Sequence, residues 1–316
     1  MSLLSETIAA QGELLAPILE APIDDAVERI EPARRLHLVG TGTSQHAAEL
    51  GALMFAPGDR DVWWSSAAAF STPLGPEDAV VVISHTTETA FARRTRERVL
   101  AAGAALVSIT GRERGWPEAI ETVPAERSET YTASYLAALL VLARLAAATG
   151  PTAFDSGRLG DLPGLVTSAA SEPPLMTAAP PRLIVLAGAG PAAVTAREGA
   201  LKLRESARLP AEGYEAEYLL HGSAVPLGPD DALILVSPAA DTSGLVQSLG
   251  AAAAEEGLDV VTAEEPRELD PLLAQLPLTV RLQVLAAHLA QVRGQDPDVV
   301  IEGAWGRTAL WEAGAP

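Results

Sequence analysis

Two stretches in the first third of the sequence place hydroxyl side chains where a phosphate group could be held. Gly40-Thr-Gly-Thr-Ser44 follows the apolar run Arg35-Leu-His-Leu-Val39, and Ser84-His-Thr-Thr-Glu-Thr89 follows Val80-Val-Val-Ile83. Together they offer Thr43, Ser44, Ser84, Thr86, Thr87 and Thr89, hydroxyls that donate to phosphate oxygens without bringing net charge. Ser and Thr also cap helices, so either stretch alone fits a purely structural task. Both at one sheet edge fit an anion site, because the free amides and dipoles of helix starts favour negative charge. The glycine stretch lacks the Lys-Ser/Thr of a nucleotide P-loop, and Gln45 stands where a dinucleotide loop has its third glycine. Gly188-Ala-Gly190-Pro-Ala-Ala193 fits that dinucleotide pattern better, which keeps a dinucleotide-binding protein as a minor alternative.

Proton-transfer chemistry has a second set of candidates. Glu198, Lys202 and Glu205 stand at i, i+4 and i+7, on one stripe of a helix. A solvated Glu-to-Lys pair on a surface helix would have the same spacing. Downstream, Glu212-Gly-Tyr-Glu-Ala-Glu-Tyr218 leads into His221, one of only five histidines. A helix-terminal or packed histidine is the structural alternative there.

The elements that must position these residues come in two similar sets. Each set begins with a short apolar strand, a glycine turn and a helix: Arg35 to Val39 then Ala47 to Phe55, and Leu183 to Ala187 then a helix opened by Pro191 and running to about Arg208. Gly42 to Gly190 is 148 residues, Ser84 to Ser237 is 153, and the strands near Val107 and Val261 are 154 apart. Such constant spacing predicts an internal duplication, each copy alternating strands and helices around a parallel sheet. In the second copy the loop 237–242 reads Ser-Pro-Ala-Ala-Asp-Thr, with most hydroxyls gone, so one phosphate site per chain is expected. The predicted layout is an N-terminal amphipathic helical segment over 1–30, a first domain over 31–150, a proline-rich linker over 151–180 with one helix near Leu162 to Ala170, a second domain over 181–293, and a tail over 294–316 that could pack over a cleft.

Composition narrows the function classes. The 316 residues are 48% hydrophobic and 20% charged, as in a soluble globular protein. With no cysteine there is no disulfide framework, zinc-thiolate site, iron-sulfur cluster or cysteine nucleophile. The first residues lack a secretory pattern and no long apolar span occurs, so a cytoplasmic location is expected. A formal charge of −19 opposes nucleic acid and anionic membranes, so an anionic substrate must be captured by local groups.

The sequence resembles the sugar isomerase (SIS) domain family, in the double-domain arrangement of the isomerase half of glucosamine-6-phosphate synthase. The resemblance rests on Gly40-Thr-Gly-Thr-Ser44, Ser84-His-Thr-Thr-Glu-Thr89, Arg197-Glu-Gly-Ala-Leu-Lys-Leu-Arg-Glu205, Ala211-Glu-Gly-Tyr214, Leu220-His-Gly222 and Leu282-Gln-Val-Leu-Ala-Ala-His288. It implies an α/β protein of two tandem flavodoxin-like SIS domains, each a parallel sheet flanked by helices, that forms a homodimer and binds a small phosphosugar. It also implies that Gly42, Thr43, Ser44, Ser84, His85, Thr86, Thr89 and Ser128 contact the phosphosugar. Glu205 would move a proton between C1 and C2, His221 would assist ring opening, and Lys202 would lie in the same active-site helix. Aldose-ketose interconversion needs an opened ring, one base and donors for the enediolate oxygens, so no metal or cofactor is expected. A carboxylate serves if burial lifts its pKa, and a neutral histidine suits proton exchange at the ring oxygen.

Three departures bear on the substrate. The synthase's glutamine-hydrolysing region has no counterpart here, so amide-nitrogen transfer is not expected. Near the C-terminus the family pattern carries a lysine, whereas this tail reads Trp305-Gly-Arg307, and arginine does not shuttle protons near neutrality. The stretch Arg127-Ser-Glu-Thr-Tyr-Thr-Ala-Ser134 lacks a usual lysine, and His85 replaces a common glutamine. The expected activity is that of a phosphosugar isomerase or amino-sugar-phosphate deaminase, and the alternative is a non-catalytic phosphosugar-binding protein.

Overall fold

The computed structural model describes residues 2–238, 243–265, 267 and 269–313. The chain forms two compact units. One comprises Glu13–Glu126, Ala133–Asp161 and Ile301–Pro316, the other Met1–Gly12, Arg127–Thr132 and Leu162–Val300.

The first of these holds five parallel strands, β1 (Arg35–Gly40), β2 (Asp61–Ser66), β3 (Asp78–Ile83), β4 (Ala105–Thr110) and β5 (Ala119–Glu121), in the order β2-β1-β3-β4-β5. This is the flavodoxin-like order, which reverses between β1 and β3. Both central strands are almost wholly buried and read as continuous apolar runs, as parallel strands covered on both faces must. Val80 and Val82 join Val39, Ala92 and Val99 on one face. On the other face Gly51 of α3 (Thr43–Phe55) lets Leu38 and Leu142 close in; a Cβ there would lie 2.6 Å from Leu38 Cδ2. Leu142 belongs to α5 (Ala133–Thr149), and the opposite cluster includes Ala92 and Val99 of α4 (Ala90–Ala102).

The segment read as one helix over residues 3–30 is broken. It forms α1 (Leu3–Leu15), a tight turn over Ala16–Leu19, and α2 (Asp24–Ile30). Pro17 and Pro22 explain the break, since proline supplies no N–H and clashes with the preceding turn.

The second unit holds four parallel strands, β6 (Leu183–Gly188), β7 (Ala211–Glu215), β8 (Asp231–Pro238) and β9 (Asp259–Glu265), in the order β7-β6-β8-β9. The four strands repeat the order of β2-β1-β3-β4. The repetition extends to torsion angles: Gly42 has φ 58°, ψ −128° and Gly190 φ 55°, ψ −127°. Only glycine adopts this region without strain. Gly40 and Gly188 repeat a second constraint, since a Cβ on either would strike the backbone four residues on, at 2.3 Å from Ser44 O and 2.6 Å from Ala192 C. Residues 239–242, in the loop that corresponds to 84–89, lie outside the described residues.

The expected linker helix is present as α6 (Leu162–Ala170). α7 (Pro191–Ala207) packs on α10 (Gln275–Val292) through Leu282, and Gly199 gives Leu186 and Leu282 room; a Cβ there would be 2.5 Å from Leu282 Cδ1. Single-turn α8 (Ala216–Tyr218) and α9 (Leu245–Glu255) complete this unit, and α11 (Thr308–Ala313) closes the described chain. Residues 301–312 are exposed throughout, with Trp305 and Trp311 in solvent rather than packed. No helix among the described residues is long and apolar enough to cross a membrane.

A buried ion network ties β1 to β3. Arg35 donates through Nε and Nη2 to the two carboxylate oxygens of Asp78 at 2.7 and 2.8 Å, and His37 Nε2 and the Gly75 amide add hydrogen bonds at 3.1 and 2.6 Å. Burial alone would raise the Asp78 pKa, but the hydrogen bonds from Arg35, Gly75 and His37 outweigh it and lower it from 3.8 to about 2. A depressed carboxylate stabilises the fold above its unfolded pKa, and that contribution is lost as pH falls from near 4 through about 2. Arg35 is partly exposed and screened, so about 1 to 2 kcal/mol is expected at neutral pH. Asp78→Asn is expected to lose it at pH 7 and to flatten the acid side of the stability curve, measured by urea unfolding from pH 7 to 2.5. Equal midpoints for variant and wild type at pH 7 would contradict this.

Candidate active site

β1 and β3 are hydrogen-bonded neighbours, so the loops at their carboxyl ends flank the point where the strand order reverses. The first loop enters α3 through Gly42, and the second enters α4 through Thr89. Neither helix start has a side-chain cap. In α3 the Ser44 and Gln45 amides donate instead to the Thr41 and Gly42 carbonyls, at 3.2 and 2.9 Å, while the positive end of each helix faces the loop. Thr43 and Ser44 lie in the first turn of α3, half-buried; Ser84 is buried at the end of β3. Thr86 Oγ1 accepts the Glu88 amide at 3.2 Å, and Thr87 holds φ 61°, so this loop is folded back on itself.

His85 lies in the same loop, but its ring is turned inward. A Cβ on Gly111 would lie 2.7 Å from His85 Cε1, and the Glu126 amide donates to His85 Nε2 at 3.4 Å. Burial lowers the His85 pKa and Arg114 adds to the effect, while Glu126 opposes it. The imidazole is thus neutral near pH 7 and braces the loop from beneath. Glu126 in turn receives the amides of Ala133 and Ser134 at 3.1 and 2.9 Å, closing the start of α5 with a carboxylate.

Ser128, grouped with the ligand-contacting residues on sequence, is buried in the β6–β9 unit. Its hydroxyl donates to the Pro297 carbonyl at 3.3 Å, and Thr130 donates to the same oxygen at 2.7 Å. It holds the 297–300 segment and reaches a ligand only if that bond opens.

α7 carries the acid-base group. Its start is fixed by Gly190 and Pro191, and its end by Arg208 in the left-handed region at φ 51°, whose amide returns to Leu203 O. Lys202 Nζ donates to Glu205 Oε2 at 2.6 Å and lies 3.4 Å from Glu198 Oε1. The side chains of Glu198, Lys202 and Glu205 are 0%, 1% and 22% exposed. The solvated-pair alternative is therefore overturned: the stripe faces the interior, with only Glu205 reaching outward from the last turn. Burial raises the Glu205 pKa above 4.5 and Glu198 adds to the rise, whereas Lys202 and Arg204 oppose it. Burial, with the neighbouring Glu198 carboxylate, thus leaves Glu205 a group whose affinity for a proton is enhanced despite the Lys202 ammonium.

His221 sits in an irregular helical turn, Leu219–Ser223, where Gly222 takes φ 110°. It is 73% exposed, 3.8 Å from Glu217. Its described ion partner is thus Glu217 and not the Lys202 group.

One signal in the sequence bears on this site. Lys202 is the only lysine among 22 basic residues, the rest being arginine. Arginine is a larger, planar, permanently charged group that cannot replace a compact ammonium between two carboxylates.

Residues 179–262 match the family model of the SIS domain. That match includes Glu198, Lys202, Glu205 and His221; the β1–β5 unit lies outside it. The glutamine–fructose-6-phosphate aminotransferase (isomerizing) of Thermococcus kodakarensis is 26% identical over 314 residues, covering 87% of this chain and 52% of that protein. The chain thus spans about half the length of that relative. Among solved structures, glucosamine-6-phosphate deaminase from Thermotoga maritima superposes with a TM-score of 0.75 at 18% identity, covering 94% and 97% of the two chains. Tagatose-6-phosphate ketose/aldose isomerase from Escherichia coli gives 0.74 at 15% identity, covering 97% of each. Residues 179–262 thus resemble the SIS domain, and the chain as a whole has the α/β fold of these two proteins.

Proposed function

We propose that this protein binds a phosphorylated sugar and moves a proton between C1 and C2 of the opened chain, as an aldose-ketose isomerase or an amino-sugar-phosphate deaminase. The observation that carries the reading is the buried Glu198–Lys202–Glu205 group, whose one solvent-reaching carboxylate has its pKa raised by burial. In the isomerase direction, Glu205 takes the C2 proton of the open aldose, the electron pair forms the C1–C2 enediolate, O1 gains a proton as O2 loses one, and Glu205 returns its proton to C1. In the deaminase, the same transfer converts a 2-amino aldose into a 2-imino ketose, which water hydrolyses to the ketose and ammonia. His221 is assigned proton exchange at the ring oxygen, and Lys202 holds Glu205. Phosphate is assigned to the amides and hydroxyls of Gly42, Thr43, Ser44, Ser84, Thr86 and Thr89, with His85 contributing through its backbone. The glycine torsions shared by the two units favour reading the β1–β5 unit as a second domain of the same kind, and a homodimer belongs to the same proposal.

The test is isotope exchange. Incubation with hexose 6-phosphates and 2-amino-hexose 6-phosphates in deuterated water is expected to place deuterium at C1 or C2 of one of them. Saturable binding of these sugars with no exchange in any of them would instead make the protein a phosphosugar sensor. The phosphate assignment has its own expected result: Ser44→Ala and Ser84→Ala each raise KM about tenfold with kcat within a few-fold, as for the loss of one hydrogen bond to a charged group. Unchanged KM in both would move the phosphate elsewhere.

A further inference from the structure

The β1–β5 unit contains a pocket of about 470 Å³ that plays no part in the phosphate loops. It lies on one face of the sheet edge. Side chains alternate along a strand, and β1 and β2 run in parallel register with His37 opposite Trp63 and Val39 opposite Ser65, so Arg35, His37, Trp63 and Ser65 share that face. Phe70, Thr72 and Pro73 from the loop after β2 line the other wall. The wall is fixed by Arg98, which donates to the carbonyls of Phe70 and Thr72 at 2.8 and 2.5 Å and lies over the Phe70 ring, 5.2 Å from its centroid.

We propose that this pocket binds a neutral, planar heterocycle of the nucleobase or nucleoside class, independently of the sugar chemistry proposed above. Five features fit that ligand. His37 and Trp63 already stack, centroids 5.4 Å apart and planes 17° apart, and Trp63 remains 47% exposed, so the indole offers a stacking surface. Ser65 Oγ is buried with no hydrogen-bond partner, a donor and acceptor suited to a ring's polar edge. Arg35 uses two of its five N–H groups on Asp78, leaving donors for a ring carbonyl or nitrogen. The charge pattern excludes an anion: Asp78, Glu77 and Asp61 all act on the single guanidinium of Arg35, three carboxylates against one cation. The volume lies within the usual range for small-ligand sites.

The experiment titrates the full chain with adenosine, AMP and glucose, read by tryptophan fluorescence and by equilibrium dialysis. Adenosine is expected to bind saturably, AMP more weakly, and glucose not at all. Trp63→Leu is expected to weaken adenosine at least about tenfold and Ser65→Ala several-fold, with thermal midpoints close to wild type. Absence of saturable adenosine binding, AMP binding as tightly as adenosine, glucose binding in place of adenosine, or full affinity in a folded Trp63→Leu would each overturn the assignment. The comparison of the three ligands uses wild-type protein, so it decides even if a variant fails to fold.

Discussion

Glu205→Gln is expected to lower turnover by about 10²- to 10⁴-fold while leaving phosphosugar affinity within a few-fold, the span that a positioned general base contributes. The amide keeps the shape of the carboxylate and can still accept the Lys202 ammonium, but it cannot take a proton from carbon. The effect therefore falls on kcat, and the phosphate loops, carried by other elements, keep their hold. The pH profile adds a second readout. Because burial raises the Glu205 pKa, the acid limb of kcat/KM is expected above the ordinary carboxylate range, and it should vanish in the variant's residual activity. Stability moves oppositely. A carboxylate with a raised folded-state pKa contributes stability that is full below its unfolded value near 4.5 and is lost as pH rises through the folded value. Above the folded value the wild type has lost that contribution, and there Glu205→Gln should unfold at the same or higher urea concentration. Wild-type turnover in the variant would remove Glu205 from the chemistry, and loss of activity together with the fold would leave a structural role as the explanation of the loss.

The sequence was most legible where one local rule decides. β1 and β3 are apolar runs ended by glycine or serine, and buried parallel strands have no other pattern. Gly42 and Gly190 marked the two helix starts because only glycine accepts their torsions. What stayed hidden depends on groups far apart in the chain. The spacing of Glu198, Lys202 and Glu205 fits a surface stripe and a buried one equally; only the folded structure, where Glu198 and Lys202 are 0% and 1% exposed, decides it. His85 reads as a ligand contact because its loop is rich in hydroxyls, yet the space left by the missing side chain of Gly111 admits the ring inward. Ser128 turned out to serve Pro297, 169 residues away. Residues 3–30 carry amphipathic periodicity, which Pro17 interrupts. The pocket at Trp63 could not be read at all, since only strand register brings Arg35, His37 and Ser65 to one face.

Lys202→Met is expected to destabilise the protein by about 3–5 kcal/mol, the usual cost of removing one member of a buried ion pair. Methionine fills much of the lysine stem's volume, so the loss isolates the charge rather than the packing. Without the ammonium, Glu198 and Glu205 lose the group that contacts both, in a place where Glu198 has no exposed surface. Desolvated carboxylates then either take up protons or force the end of α7 open. The sign with pH follows: both would favour protonation in the folded state, so the deficit should shrink on going from pH 8 to pH 5. Lys202→Arg should also be destabilised, because a planar fork cannot occupy the compact site between the two carboxylates, which gives a physical reason for the single lysine in a chain of arginines. Adding Glu198→Gln to Lys202→Met is expected to restore part of the loss, since a buried neutral pair lacks the desolvation cost of an unshielded charge. Urea unfolding of the two single variants and the double variant, at pH 5 and pH 8, measures each of these differences. If Lys202→Met were as stable as wild type, or if Glu198→Gln added to its loss, the ammonium would not be neutralising these carboxylates.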